Sequence, residues 1–256
     1  MPADERQQRT DHLTGPEWLD LLSTGEVEVE GRLPWSSNHS FLARVLTTGP
    51  SPRHGSEPES RKAVYKPGRG ERPLWDFGVD LYRREVAAFE LSAAFGLDLV
   101  PETVLRLDGP LGPGSLQRFI DADFEQHYFT LVEEPRFHER LTELAAFDML
   151  CNNADRKSGH VLVDGSAHIW AIDNGLSFHA DDKLRTVIWE FAGTNIPDRL
   201  LSVCDAIVES GAPERVARLI DDEEAAALVR RARAMLRSRR LPAPRDDHRA
   251  YPWPLV

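Results

Sequence analysis

The sequence predicts an α+β protein of two lobes, with a small antiparallel β-rich N-lobe over residues 1–120 and a mainly helical C-lobe over residues 121–256. Strand-type segments and a helix come first along the chain, and helical segments dominate afterwards. A short apolar hairpin in the second half carries an aspartate at each end. The 256 residues, 41% of them apolar, are enough for one sizeable domain or for two lobes that share a cleft.

Apolar alternation and turn residues define the N-lobe segments. Thr14 and Pro16 mark the start of a short helix over Leu13–Leu22. Apolar residues at helical spacing predict a longer helix over Leu81–Phe95, ended by Gly96. The predicted strands are Val27–Leu33, Phe41–Leu46, Ala63–Lys66, Leu97–Leu107 with an interruption at Pro101, and Ser115–Ile120, with loops over 47–61 and 69–80 and a turn over 109–114.

The C-lobe is predicted to start with an amphipathic helix over Arg136–Cys151, which leads into a polar loop. A hairpin of Val161–Val163 and Ile169–Ile172 follows, and Asp164-Gly165 predicts a tight reversal between its strands. After a loop to about residue 199, the predicted helices are Leu200–Ser210, Pro213–Ile220 and Glu223–Arg239, followed by a proline-rich end unsuited to regular structure.

Composition excludes several classes of protein. The net charge of −11 argues against nucleic-acid binding, because the one basic run, Arg230–Arg240, fits the solvated face of a helix. No apolar run has the ~20 residues of a membrane span, and the first residues are not signal-like. Cys151 and Cys204 lack metal-type spacing, which predicts a reducing cytoplasm without a disulfide or zinc framework. Arginine far outnumbers lysine, as in GC-rich bacterial coding.

Two aspartates are brought together by the hairpin. Asp155 lies in the polar loop before it, and Asp173 ends its second strand just before an Asn-Gly turn. In phosphoryl-transfer sites an Asp accepts the hydroxyl proton, a residue five positions on holds a metal, and an Asp after the next strand holds the metal that bridges the phosphates. His160 occupies the position five residues after Asp155. Taken singly, each piece also fits a solvated loop or an ordinary turn.

The N-lobe offers groups that could bind nucleotide phosphates. Lys66, on a strand, would place its ammonium on the inner phosphates, and Glu85, on the next helix, would be its ion-pair partner. Ser36, Ser37 and Asn38 could cover the phosphates through N–H and hydroxyl donors. The alternatives are a surface lysine, a surface carboxylate and an ordinary hairpin tip.

The last strand of the N-lobe is predicted to meet the adenine ring. Gln117, Phe119 and Ile120 would offer main-chain groups to the edge of the base, and Phe119 or Ile120 an apolar face. The sequence leaves open which of these groups makes the contact.

Several segments together resemble the phosphatidylinositol 3/4-kinase superfamily, most closely the type II phosphatidylinositol 4-kinases, and among them a small bacterial relative. The resemblance covers about residues 30 to 200 and rests on Ala63–Pro67, the helix with Glu85, Gly96–Pro101, Gly114–Gln117, Asn153–Arg156 and Ala171–Phe178. It implies a bilobal atypical protein-kinase-like fold with Mg-ATP in the cleft, Lys66 and Glu85 as the phosphate pair, Asp155 as the catalytic-loop acid and Asp173 as a metal ligand.

Two departures from that family bear on the metal and the acceptor. His160 stands where the family has a metal-binding Asn, which leaves Mg²⁺ and Mn²⁺ both open. The loop over 69–80 has no cysteine, whereas the type II lipid kinases carry a cysteine-rich lipidated segment, and the acidic charge argues against association with an anionic membrane.

The sequence therefore predicts an ATP-dependent phosphotransferase that acts on a hydroxyl of a soluble small molecule, an inositol-type head group or a protein. Asp155 would orient or deprotonate the acceptor, Asp173 and His160 would hold the metal, and Arg156 or Lys157 would lie near the transferred phosphate. A regulatory nucleotide-binding module without turnover and an enzyme that transfers AMP from ATP are the alternatives.

Overall fold

The computed structural model describes residues 13–33, 39–47, 60–72, 74–244 and 250–256. Ser36, Ser37 and Asn38, predicted to cover the phosphates, lie outside these ranges. The chain forms two compact units, one built from residues up to Arg72 with Glu102–Phe119, the other from residues 73–101 with 120–256. The predicted boundary at residue 120 stays a prediction, and the helix that carries Glu85 belongs to the second unit.

A five-stranded antiparallel sheet makes up most of the first unit. The strands are β1 (Glu26–Arg32), β2 (Phe41–Leu46), β3 (Ser60–Pro67), β4 (Thr103–Arg106) and β5 (Gly114–Arg118). Their spatial order in the sheet is β1-β2-β3-β5-β4. Alternate side chains of β2 and β3, such as Val45 and Tyr65, are fully buried because one face of the sheet covers a core.

Helix α1 (Gly15–Thr24) packs its apolar face, including Trp18 and Leu22, on that core. The helix begins as predicted, because the Thr14 N–H donates to Glu17 Oε2 at 2.7 Å and Pro16 lies in the first turn. Buried Arg106 of β4 fixes the other end of the helix, where its Nη1 donates to the carbonyls of Leu22 and Gly25, both at 2.9 Å.

The predicted strand over Leu97–Leu107 is wrong in its first half, since only Thr103–Arg106 is a strand. The backbone before it is engaged by helix α2 (Leu81–Ala94): the Leu97 N–H donates to the Ser92 carbonyl, and the Leu99 N–H to the Ser92 hydroxyl. Pro101 contributes no N–H to a ladder. Tertiary packing of buried Leu97 and Leu99 therefore replaces the strand that their alternation suggested.

The second unit is mainly helical, as predicted. After α2, its helices are the unpredicted short α3 (Tyr128–Leu131), α4 (His138–Cys151), α5 (Asp198–Ser210), α6 (Glu214–Ala217) and α7 (Asp222–Ser238). Helix α7 begins with a reciprocal capping box, in which Asp221 accepts from the Glu224 N–H at 2.8 Å and donates its own N–H to Glu224 Oε2 at 3.1 Å.

The predicted hairpin is confirmed as β6 (Val161–Val163) and β7 (Ile169–Ala171), which pair antiparallel. Its turn is wider than the tight reversal predicted at Asp164-Gly165, since five residues connect the strands. The Asp164 carboxylate organises the wider turn, because its Oδ1 accepts from the N–H groups of Ser166 and His168.

Both cysteines are buried free thiols. Cys151 ends α4, and Cys204 lies in α5 with its Sγ 3.8 Å from Met235 Sδ. Among the described helices, none combines the length and the apolar character that a bilayer crossing requires.

Candidate functional site

The loop after α4 starts with a left-handed residue. Asn152 has φ 58°, a conformation that asparagine tolerates better than most residues, and it turns the chain out of the helix. Its side chain then fixes a second loop: Nδ2 donates to the carbonyls of His179 and Asp181 at 2.9 and 2.6 Å, and Oδ1 accepts from the Lys183 N–H at 2.9 Å. The end of the helix and the segment 179–183 are thereby held together.

Backbone hydrogen bonds hold the segment 153–158 on both sides. The Ala154 N–H donates to the Leu176 carbonyl at 2.8 Å, and the Arg156 N–H to the Arg185 carbonyl at 3.0 Å. The Asp155 N–H donates to Asn153 Oδ1 at 2.9 Å. Further along, the Ser158 N–H donates to the Leu255 carbonyl at 2.8 Å. The segment that carries Asp155 is therefore an ordered loop rather than a freely solvated one.

The sequence analysis expected Arg156 or Lys157 near the transferred phosphate. For Arg156 this expectation does not fit the structure, because its side chain is wholly buried. Nε and Nη2 form a bidentate pair with Asp148 of α4, both at 2.9 Å. Nη2 also donates to Asn174 Oδ1 at 2.6 Å, and Nη1 to the carbonyls of Ile172 and His160 at 2.6 and 3.4 Å. All five guanidinium donors are thus used within the second unit. Arg156 positions the loop and does not contact substrate.

Asp155 is mostly buried, with 21% of its side chain exposed. Burial raises the pKa of its carboxyl to about 6, while Lys157, whose Nζ lies 3.3 Å from Asp155 Oδ2, lowers it and Asp173 raises it. A carboxylate with a pKa close to neutrality is suited to accept a proton at physiological pH. Lys157 holds this carboxylate from one side, and its side chain is 12% exposed.

His160 and Asp173 lie in contact. The His160 Nε2 is 3.2 Å from Asp173 Oδ2, and the His160 Nδ1 is 3.0 Å from the carbonyl of Asp155. A carbonyl only accepts, so this shorter contact assigns the ring proton to Nδ1, in preference to the 3.4 Å approach of the Lys157 N–H. The lone pair of the neutral ring is then on Nε2, next to a carboxylate oxygen. Such a pair of acceptors fits a shared proton or a shared cation.

Glu85 supports the turn that presents Asp173. Asp173 is left-handed, with φ 57°, and the following Asn174 N–H donates to Glu85 Oε2 at 2.9 Å. The Glu85 carboxylate is nearly fully buried, and a Cβ at Gly175 would lie only 3.2 Å from its Oε1. Sequence reasoning assigned Glu85 to Lys66 and missed this contact. The Lys66–Glu85 ion pair stays a prediction.

The His160 imidazole and the Asp173 carboxylate fit a divalent cation that also takes oxygen ligands from phosphate. In the part of the chain that the structure describes, no group of three or more His, Cys, Asp and Glu side chains is arranged for a metal. His160 and Asp173, which contact each other, could be its protein ligands, with phosphate oxygens and water completing the shell. Mg²⁺ is commonly bound through one or two carboxylates and substrate phosphates, which fits Asp173, whereas an imidazole such as that of His160 suits softer cations better.

Of the predicted nucleotide-binding residues, Lys66 lies on β3, Gln117 lies on β5, and Phe119 and Ile120 follow β5. Lys66 is half-buried near the end of β3, beside Ser115 of β5. The Gln117 side chain is buried and donates to Thr103 Oγ1 at 2.8 Å, so only the main-chain groups of Gln117 remain for the predicted contact. The Phe119 N–H donates to the Lys62 carbonyl at 3.2 Å, and Ile120 is buried at the start of the second unit. An adenine contact through this segment stays a prediction.

Asp148 is the main residue of the site that sequence reasoning missed. It lies on the apolar stripe of α4, between Leu144 and Cys151. A carboxylate at a core position requires a buried partner, because its charge is otherwise too costly to bury. The acidic residue within an apolar stripe was the available signal, and Arg156 is its partner.

Comparison with known proteins gives one clear relative. Protein Rv2133c of Mycobacterium tuberculosis is 36% identical over an alignment of 271 residues, which covers 91% of this chain and 94% of the mycobacterial protein. The chain belongs to the family of Protein Rv2133c. No family model matches the sequence.

Solved structures show the fold. The structure of hydra Fam20 with sugar superimposes with a TM-score of 0.54, at 14% identity and 87% coverage of each chain. The Helicobacter pylori proinflammatory kinase CtkA gives a TM-score of 0.49, at 10% identity, with 86% of this chain and 94% of that chain covered. The likeness to Fam20 confirms the predicted α+β, kinase-like fold class. It shows the fold alone and does not single out the phosphatidylinositol 3/4-kinases.

The Asp148–Arg156 pair yields a prediction about stability. Asp148→Asn leaves the buried guanidinium without its counter-charge, and we expect the free energy of unfolding to fall by about 3–5 kcal/mol in urea denaturation. The control is Glu214→Gln, which removes one partner of the exposed Glu214–Arg218 pair and should cost no more than about 0.5 kcal/mol. Similar small effects of both substitutions would contradict the central role of Arg156.

The raised pKa of Asp155 yields a prediction about pH. The folded chain binds this proton more tightly than the unfolded chain, whose carboxyl has an ordinary pKa near 3.8. The ionised carboxylate therefore costs stability, and that cost develops as pH rises from about 4 to about 6 and stays constant above that range. Without nucleotide or metal, we expect Asp155→Asn to be more stable than wild type at pH 7.5, by on the order of 1–2 kcal/mol, and the gain to vanish near pH 4.

Melting curves from pH 4 to 8 measure this effect. Asp205→Asn, which changes an exposed acid on α5, is the matched control. A gain for Asp155→Asn that is the same at every pH would show that the carboxyl has no raised pKa.

Proposed function

We propose that this chain is an ATP-dependent phosphotransferase of atypical kinase fold. The observation that carries the proposal is the cluster of Asp155, His160 and Asp173, in which a carboxyl of raised pKa lies near an imidazole and a second carboxylate that contact each other. The kinase-like fold supports it. The acceptor would be a hydroxyl of a soluble small molecule, an inositol-type head group or a protein.

Asp155 is proposed to take the proton of the acceptor hydroxyl while the hydroxyl oxygen forms the new bond to phosphorus. Burial makes its carboxylate a stronger base than an exposed one, and the Lys157 ammonium holds it in place. Asn153 fixes the backbone of Asp155, and Arg156 fixes the loop against α4. The position of the base is thus set before the acceptor arrives, which is how preorganised sites lower a barrier.

ATP would supply the phosphoryl group and leave as ADP, and a bound Mg²⁺ or Mn²⁺ would neutralise the phosphate charge. Asp173 and His160 are proposed to hold that cation and Lys66 to hold the phosphates of ATP. Glu85, through the Asn174 N–H, keeps the turn in the conformation that presents Asp173.

A regulatory nucleotide-binding module is the second candidate. The observation that favours it is the small ligand set: a histidine stands at the metal position, and the described residues hold no three-ligand group. The presence of Asp155, Asp173 and Lys66 favours the phosphotransferase over this module.

Transfer of label from ATP tests the proposal. The full chain is incubated with γ-labelled or α-labelled ATP, with Mg²⁺ or Mn²⁺, and with free inositol, phosphatidylinositol vesicles or a protein extract as acceptors. We expect the γ label to move and the α label to stay. Movement of the α label would show AMP transfer, ATP binding without movement of either label would show a regulatory module, and no binding of ATP would exclude all three.

The two aspartates should separate binding from turnover. We expect Asp155→Asn to bind Mg-ATP within about threefold of wild type and to lose turnover by about 100-fold or more, because a base acts in the transition state. Asp173→Asn should instead weaken metal-dependent ATP binding. Calorimetry and initial rates measure the two effects, and Asp205→Asn is again the control. Equal losses of ATP affinity in both variants would undo this division of roles.

His160 should decide the choice of metal. His160→Asn supplies an oxygen in place of the imidazole, and we expect it to keep Mg²⁺-supported turnover and to lose any preference for Mn²⁺. His160→Ala should lose turnover with both metals. The control is His168→Asn, which changes a histidine in the hairpin turn that contacts the Asp98 carbonyl. Full activity of His160→Ala with both metals would make His160 a structural residue.

A further inference from the structure

A cavity lies in the helical unit. It measures about 630 Å³, within the size range of small-molecule sites. Its walls come from the end of α4, the segment 180–185, α7 and the chain on both sides of residues 245–249. Of the residues proposed for catalysis, nucleotide or metal that the structure describes, none lines it.

Three arginines dominate the charge of this cavity. Arg185 lies on the segment 180–185, and Arg230 and Arg231 lie on α7. The walls also carry Asp181 and Asp182, so among the described lining residues the arginines leave a net positive charge, in a chain whose total is −11. The ammonium of Lys183, also on the wall, is already paired with Asp76 at 3.2 Å.

The arginines have unused hydrogen-bond donors. Within the ranges that the structure describes, the side chains of Arg185 and Arg230 form no ion pair and donate no hydrogen bond. Arg231 donates through Nε to the Leu150 carbonyl at 2.8 Å and through Nη1 to the His179 carbonyl at 3.1 Å. Its Nη2 is buried and, among the described residues, has no partner. The charge of Arg231 therefore lies at the wall of the cavity without a carboxylate partner among the described residues, and its field favours an anion there.

We propose that this cavity binds a phosphate-bearing small molecule. Three arginines that line one cavity match a tetrahedral, multiply charged oxyanion, which accepts several hydrogen bonds and pairs with arginine in a bidentate manner. The apolar part of such a molecule would meet Met149, Ala227 and Trp189.

The cavity wall is joined to the loop that carries Asp155. The Arg185 N–H donates to the Asn153 carbonyl at 2.9 Å, and the Arg185 carbonyl accepts from the Arg156 N–H at 3.0 Å. An anion that fixes the Arg185 side chain therefore restricts a residue whose backbone borders Asp155 on both sides. Ligand binding in the cavity should reduce opening of these backbone hydrogen bonds.

Binding of inorganic pyrophosphate to the full chain tests the proposal. Calorimetry at low ionic strength, with a chelator and without nucleotide, excludes metal-dependent binding at the proposed catalytic site and makes the result independent of the proposed function. We expect a Kd below about 1 mM for wild type. Arg230→Gln and Arg185→Gln should each weaken binding about tenfold or more, because each removes charged donors.

Arg233→Gln is the matched control, since Arg233 is an exposed arginine of the same helix that does not line the cavity. It should bind pyrophosphate as wild type does. Amide hydrogen exchange with and without pyrophosphate locates the ligand. We expect exchange to become slower in residues 180–187 and to stay unchanged in residues 60–67. Citrate, a carboxylate anion of similar charge, should bind more weakly than pyrophosphate.

Three results would overturn the proposal. They are no binding of pyrophosphate to wild type at 10 mM (about a tenfold excess over the expected Kd), equal affinity of Arg230→Gln and Arg233→Gln, and tighter binding of citrate than of pyrophosphate.

Discussion

The buried ion pair between Asp148 and Arg156 is the interaction on which the candidate site depends. It joins the last turn of α4 to the loop that follows, and through Asn174 and the Ile172 carbonyl it also reaches the end of the hairpin. Taking two charges out of water is expensive, and the geometry offsets that cost with a bidentate contact and a partner for every guanidinium donor. Specific placement of three chain segments, rather than net stability, is what such a pair provides.

The two aspartates of the hairpin ends have different surroundings, and this separates their chemistry. Asp155 is mostly buried beside one lysine, and its carboxyl holds a proton more tightly than usual. The Asp173 side chain is 40% exposed and lies against the His160 ring. One carboxylate is thereby suited to proton transfer and the other to a cation. Differences of environment between neighbouring acids are a common way for one site to hold two roles.

Much of the fold could be predicted from the sequence, because it rests on local signals. The alternation in β1 and β2, the stripe of α4 and the capping residues of α1 each predict an element that the structure contains. The strand over Leu97–Leu107 could not be predicted correctly, because distant packing and the Ser92 hydroxyl decide the path of Leu97 and Leu99. The length of the hairpin turn depends on the Asp164 side chain. Its hydrogen bond from the Ser166 N–H stabilises a wider turn than the tight one that Asp-Gly favours.

The site was predictable in its spacing and not in its contacts. The five-residue interval from Asp155 to His160 and the Asn-Gly turn after Asp173 placed three residues together correctly. Arg156 was misassigned because sequence shows a charge and not its burial, and a cation in a polar loop ordinarily faces water. Glu85 was recognised as important, but its hydrogen bond to Asn174 joins residues far apart in the chain.

The two buried thiols have a practical consequence for spectroscopy. Burial, reinforced by Asp148, raises the pKa of Cys151 well above its usual value, and burial raises that of Cys204 to about 12. Maleimide and iodoacetamide reagents attack thiolates, so both native cysteines should stay unlabelled in the folded chain. A single cysteine introduced by Gly165→Cys, where an added Cβ meets no other atom within 4 Å, would therefore take up a fluorophore or spin label selectively. Such a label would sit on the hairpin whose far end carries Asp173, and it could report on that element without removal of any native residue.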